Sequence, residues 1–141
     1  MRQAVSLLTQ SQFYSPAFNA AIFDGPVRIY FAQYQETLAL KIYFRIQERL
    51  KAMYESLPEA LKYSTQNLFL MVYPNEETYS NSFPKSTKSI EEGILGEDVV
   101  MGVQAPVKDL DIERLADLVE PLIRSWMEKQ LEPQPALFAE A

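Results

Sequence analysis

The chain contains no cysteine and no histidine. Without cysteine there is no disulfide framework, no thiolate zinc site and no thiol nucleophile. Without histidine the commonest general base, the imidazole metal ligands and every Ser-His-Asp arrangement are excluded. Whatever chemistry remains must come from carboxylates, lysine, tyrosine or a hydroxyl. Neither G-x-x-x-x-G-K-[ST] nor G-x-G-x-x-G occurs, so no phosphate-cradling loop of either kind is expected. No apolar run approaches the ~20 residues of a membrane span. The first ten residues, Met1 to Gln10, carry a short apolar patch rather than a signal-peptide core. These absences point to a cytoplasmic domain with no cofactor, no metal and no membrane contact.

What is present is a chain of 141 residues, 48% hydrophobic, enough for one globular domain with a substantial core. The single domain is placed at 1–131, with 132–141 (Pro133, Pro135) as a loose tail. The net charge of −6 is unevenly spread. Between Pro26 and Lys51 five basic residues oppose two glutamates. From Glu91 to Ala141 four basic residues oppose twelve acidic ones. Such asymmetry favours head-to-tail contacts or serves solubility, and an acidic chain argues against broad phosphate-backbone binding.

The stretch from Phe18 to Ile46 reads as three antiparallel strands. Leu38, Leu40, Ile42, Phe44 and Ile46 alternate with Ala39, Lys41, Tyr43 and Arg45, the period of a half-buried strand. Leu38, Ile42, Ile46 and Leu50 also sit four apart, which suits a helix. The β-branched and aromatic content favours the strand. Val27, Ile29 and Phe31 form one face of the preceding strand. A Tyr34–Thr37 loop places them opposite Phe44, Ile42 and Leu40. Before them, a loop over Phe23–Pro26 pairs Ile22 with Val27 and Ala20 with Ile29. A two-residue loop is disfavoured there because Pro26 lacks an N–H for the closing pair.

The reverse face of that meander then gathers Arg28, Tyr30, Tyr34, Lys41, Tyr43 and Arg45. Tyrosine and arginine are enriched at interface hot spots, so these six form the expected interaction surface. Cross-strand cation–π pairs, Arg28 on Tyr43 and Lys41 under Tyr30, would equally serve the sheet alone.

Further along, Ile46, Leu50, Met53, Tyr54 and Leu57 follow helical spacing, and Ser56-Leu57-Pro58-Glu59 has capping-box form before a short piece from Ala60 to Tyr63. Asn67 to Tyr73 is a strand apolar on both faces, hence interior. Asn75 caps a short helix to Phe83. Pro84 to Asp98 reads as a long loop, with a second capping-box pattern at Ser89–Glu92 and an alternative role as a ligand lid. Val99 to Ala105 is another interior strand, where Gly102 suggests close approach by a helix backbone. Asp109 or Asp111 caps a core-facing helix carrying Ile112, Leu115, Leu118, Val119, Leu122, Ile123 and Trp126, and Pro121 inside it implies a kink or restart near Glu120. Residues 1–17 hold a short amphipathic piece around Val5 and Leu8.

The fold class is α/β with a mixed sheet: a three-strand meander followed by α-β-α-β-α. This order of elements resembles the ribonuclease H-like topology. The resemblance implies convergent carboxylates holding divalent metal, with an acidic residue in mid-strand one. Here that strand is Phe18-Asn19-Ala20-Ala21-Ile22-Phe23, and Asp24, Glu48 and Glu55 are a poor carboxylate set. The expected function is a non-catalytic protein-interaction or regulatory domain, binding an unknown protein partner or a second copy. Single-stranded nucleic acid stacked on Tyr30, Tyr34 and Tyr43 is the alternative. A carboxylate metal-dependent hydrolase is the third reading.

Overall fold

The computed structural model describes residues 8–56 and 66–131. Val5, the capping box at 56–59 beyond its Ser56, the piece at 60–63 and the tail at 132–141 lie outside them. Among the described residues nine elements follow one another. They are β1 (Ala20–Asp24), β2 (Val27–Phe31), a 3-10 turn (Gln33–Gln35), α1 (Glu36–Glu55), β3 (Leu68–Tyr73), α2 (Glu76–Ser82), β4 (Ile90–Leu95), β5 (Asp98–Gln104) and α3 (Asp109–Leu131). The strands form one mixed sheet in the order β1-β2-β3-β5-β4. β2, β3 and β5 are parallel, and the edge strands β1 and β4 are antiparallel to their neighbours. The fold is thus α/β with a mixed sheet, as the sequence predicts.

The meander is not. Residues 38–46 belong to α1, so the third strand does not exist and β2 pairs instead with β3. The ribonuclease H-like element order, which needs three successive strands, goes with it. The physical reason lies in how far each pattern extends. Alternation spans only Leu38 to Ile46. Helical spacing continues through Ile42, Ile46, Leu50 and Met53, all of them buried, and no Gly or Pro interrupts the chain from Val27 to Leu57. The proposed turn at Tyr34–Thr37 also lacks every residue type that favours a hairpin. A helix instead returns the chain to start a parallel strand.

The β1–β2 hairpin forms, with its pairing moved by two residues. Asp24 pairs with Val27 and Ile22 with Ile29, leaving Gly25 and Pro26 as the loop. Pro26 is a loop residue, so its missing N–H is not required. Gly25 takes the positive φ of 56° that the first loop position of a II′-type turn demands. A shift of two preserves the alternation, so the apolar face stays where it was predicted.

Two cores flank the sheet. On one side Val27, Ile29, Phe31, Leu68, Leu70, Val72, Met101 and Val103 meet the buried stripes of α1 and α3, including Ile42, Leu50, Leu115, Val119, Ile123 and Trp126. On the other side Tyr30, Phe69, Met71, Tyr73 and Val100 are covered by Leu8, Phe13 and Phe18 of the N-terminal segment and by Tyr79 and Phe83 around α2. β3 is buried along its whole length, the two-faced burial that its apolar run predicts.

Local signals hold at α2, where the Asn75 side chain accepts from the Thr78 N–H at 2.9 Å. Pro121 lies within α3, which runs unbroken from Asp109 to Leu131. Only residues 84–89 of the expected loop at 84–98 are a loop, and the rest is strand and turn. From Ile90 the chain forms β4, which turns through Gly96 (φ 65°) into β5. What approaches Gly102 is not a helix backbone but two rings, Phe83 and Tyr73.

Candidate functional site

The six residues expected on one sheet face are dispersed by the folding of α1. Arg28 and Tyr30 remain on β2. Tyr30 is only 8% exposed, and its buried hydroxyl has no hydrogen-bond partner among the described residues. Burial pushes that phenol's pKa up, against the opposing pull of the Arg28 charge. The Arg28 guanidinium lies 5.2 Å from the centroid of Phe23, and its Nε donates to Asn67 Oδ1 at 3.2 Å. Neither predicted cross-strand cation–π pair forms, because their partners Lys41 and Tyr43 are on a helix. Tyr43 packs part-buried against the helix-side core, 5.3 Å ring to ring from Phe44. Tyr34 stands 78% exposed on the 3-10 turn.

Lys41 and Arg45 do come together, in a setting that the strand reading did not contain. Along α1 the cations Lys41, Arg45 and Arg49 recur every four residues and form one row. Along α3 the anions Asp109, Glu113 and Asp117 recur with the same spacing. Lys41 pairs with Asp109, Arg45 with Glu113 and Arg49 with Asp117, each across a separation of 68 residues. A constant separation means that the two helices run in the same direction. Arg49 also donates to Glu120 Oε2 at 3.1 Å. Arg45 is held at two points, through Nε to Oε1 and through Nη2 to Oε2 at 2.7 Å. This fork geometry specifies orientation as well as charge. The hydrogen bonds from Arg45, with its charge and that of Arg49, hold the Glu113 carboxyl below the usual carboxylate range.

Above this ladder runs an open groove of about 470 Å³. Lys41, Phe44, Arg45 and Glu48 line it from α1, and Asp109, Ile112 and Glu113 from α3. Phe44 is 59% exposed within it. The strand reading buries Phe44 with Ile42 and Ile46. On the helix it rotates away from both, because residues two apart face opposite sides of a turn. Phe44, Asp109, Ile112 and Glu113 were thus missed as site residues. A signal for the ladder was present all the same, in two rows of opposite charge sharing one four-residue spacing.

Of the carboxylates considered for metal, Glu48 and Glu55 lie exposed on α1. Among the described residues no group of three or more acidic side chains is placed to hold an ion. No described helix is long and apolar enough to cross a membrane. Comparison with known proteins returns no match, whether to a family model, a curated protein or a solved structure.

Proposed function

We propose that this chain is a non-catalytic protein-interaction domain whose groove between α1 and α3 receives a protein partner. The observation that carries this reading is Phe44, a large ring 59% exposed in a groove whose lining cations are already neutralised within the chain. A partner covering Phe44 buries apolar surface at ~25 cal/mol per Å². It need not strip water from lone charges to do so, because Lys41 and Arg45 keep their carboxylate partners. The bidentate pair also holds Arg45 in one conformation, which lowers the ordering cost of binding. In this reading Lys41 and Arg45 form a preorganised rim around an aromatic anchor. Tyr34 stands exposed on the turn leading into the same helix.

The test is site-specific photocrosslinking in cells of the chain's source. A photoreactive phenylalanine at position 44 should give one discrete protein adduct, identified by mass spectrometry and lost when Arg45 is changed to Glu. The same probe at Asn81, exposed on α2, should give none. Equal adducts from both positions, or none from position 44, would end the proposal.

A further inference from the structure

β4 is an edge strand, and among the described residues it is paired on one side only, with β5. The phase of that pairing settles which of its backbone groups are free. The Gln104 N–H donates to the Ser89 carbonyl at 2.9 Å. The register then continues through Glu91 with Gly102, Gly93 with Val100 and Leu95 with Asp98. In an antiparallel ladder bonded pairs alternate with unbonded ones. Residues 89, 91, 93 and 95 thus aim their N–H and C=O groups at β5. Ile90, Glu92 and Ile94 aim theirs outward, away from the sheet.

The side chains of these three share the helix side of the sheet with Val103, Met101 and Val99, their cross-strand partners. Ile90 is buried, Glu92 is exposed and Ile94 is 73% exposed. Beside them opens a cleft of about 320 Å³ on the flank of α3 opposite the ion-pair ladder. Ile90, Met101 and Leu118 give it apolar walls, and Leu118 is itself 42% exposed. An outward row of backbone donors and acceptors with an adjacent apolar cleft is what an added strand needs: main-chain bonds for affinity and a pocket for alternate side chains.

Charge decides between the possible occupants. Residues 88–98 hold one lysine, Lys88, against Glu91, Glu92, Glu97 and Asp98, and the one cation that α3 brings to the cleft, Arg114, lies 4.0 Å from Asp111 of its own helix. A second copy of β4 fits poorly in antiparallel pairing. If it is centred on Glu92, two glutamates face each other while Ile90 meets Ile94. If it is centred on Gly93, Ile94 faces Glu92. Like charges directly opposite destabilise a sheet, and acidic residues on an edge oppose self-pairing. A strand with a cation opposite Glu92 and apolar residues two positions either side meets all three outward residues favourably.

We propose that the outer edge of β4 is a docking site for an extended segment of a partner protein, with a lysine or arginine flanked at alternate positions by apolar residues. The added strand would hydrogen-bond to Ile90, Glu92 and Ile94, place its cation at Glu92, set one apolar side chain in the cleft beside Ile90 and Leu118, and lay the other against Ile94. This interface is separate from the groove around Phe44 and does not depend on it.

The probe is the capped peptide Thr-Ile-Thr-Lys-Thr-Ile-Thr, read by amide hydrogen exchange and chemical-shift changes on the full chain. Without peptide, the Ile90, Glu92 and Ile94 amides should exchange quickly while Glu91, Gly93 and Leu95 are protected. Peptide should protect the first set by at least about tenfold and leave signals near Phe44 unmoved. Replacing the peptide lysine with glutamate should weaken binding at least about tenfold, and Glu92→Lys should restore it. Four outcomes would each overturn the proposal: no protection at millimolar peptide, equal binding of both peptides, shifts centred elsewhere, or a dimer by light scattering that buries β4 in the free protein.

Discussion

Arg45 grips both carboxylate oxygens of Glu113 across 68 residues of sequence, as the middle rung of a ladder that joins α1 to α3. The Glu113 carboxyl is held below its ordinary range by that grip. A group with a depressed folded pKa adds stability above its unfolded value and loses it as pH falls through the folded one. Wild-type protein should therefore lose stability as pH drops below about 4.3, the ordinary glutamate value. Glu113→Gln should show a flatter acid limb and lower stability at pH 7. Urea titrations at a series of pH values measure both. An unchanged acid limb in the variant would show that the rung carries no linkage.

Two neighbours on α1 separate core from surface. Ile42 is fully buried and Phe44 largely exposed. Ile42→Ala should cost about 2–5 kcal/mol, the transfer and cavity cost of a core aliphatic. Phe44→Ala should change stability by no more than about 0.5 kcal/mol. Chemical denaturation of the two variants side by side checks the pair. The strand reading predicts equal, large losses.

Gly102 sits beneath two rings. A Cβ there would stand 2.3 Å from the Phe83 ring and 3.0 Å from that of Tyr73, closer than packed atoms tolerate. Both rings belong to the second core and are themselves in contact. Gly102→Ala should destabilise by about 1–3 kcal/mol, the usual cost of overpacking. Combining it with Phe83→Leu should recover part of that loss. A neutral Gly102→Ala in a denaturant melt would contradict the packing described.

Tyr73 ties the N-terminal segment to the sheet by donating its buried hydroxyl to the Phe13 carbonyl. Burial pushes its pKa up to about 12 from an ordinary 10.0. A raised folded value adds stability that is fully present below the unfolded value and lost as pH rises through the folded one. Stability should therefore fall between about pH 10 and 12. Tyr73→Phe should remove that contribution and cost about 1–3 kcal/mol at neutral pH, because a buried carbonyl loses its donor. Absorbance titration of tyrosinate alongside circular dichroism follows both events. Ionisation of Tyr73 near pH 10 in a folded chain would refute its burial.

Much of the fold was legible because the burial of some segments is dictated by their own pattern. Leu68–Tyr73 has no polar face to give to water, so it can only be an interior strand. Ile112, Leu115, Val119, Ile123 and Trp126 form a stripe that only a helix brings to one side, and Asn75 needs nothing beyond its own backbone to cap α2. Residues 38–46 fit two periods at once. What separates them is reach, since the helical spacing runs on through Leu50 and Met53 where the alternation stops. Likewise Ser89–Glu92 has the local form of a helix start yet becomes a strand, because pairing with β5 supplies hydrogen bonds that a cap does not.

The sequence alone determined that Leu68–Tyr73 and the apolar stripe of α3 must leave water, and that the charge is split between a basic middle and an acidic end. Only the tertiary structure decided what each of them meets. The cations of α1 find the anions of α3 in the same molecule, and the tyrosines and cations grouped by a strand pattern are scattered by a helix. The reason is range. Periodicity is written within a few residues, whereas the partner of Arg45 lies 68 positions away and is chosen by the packing of two helices on one face of a sheet.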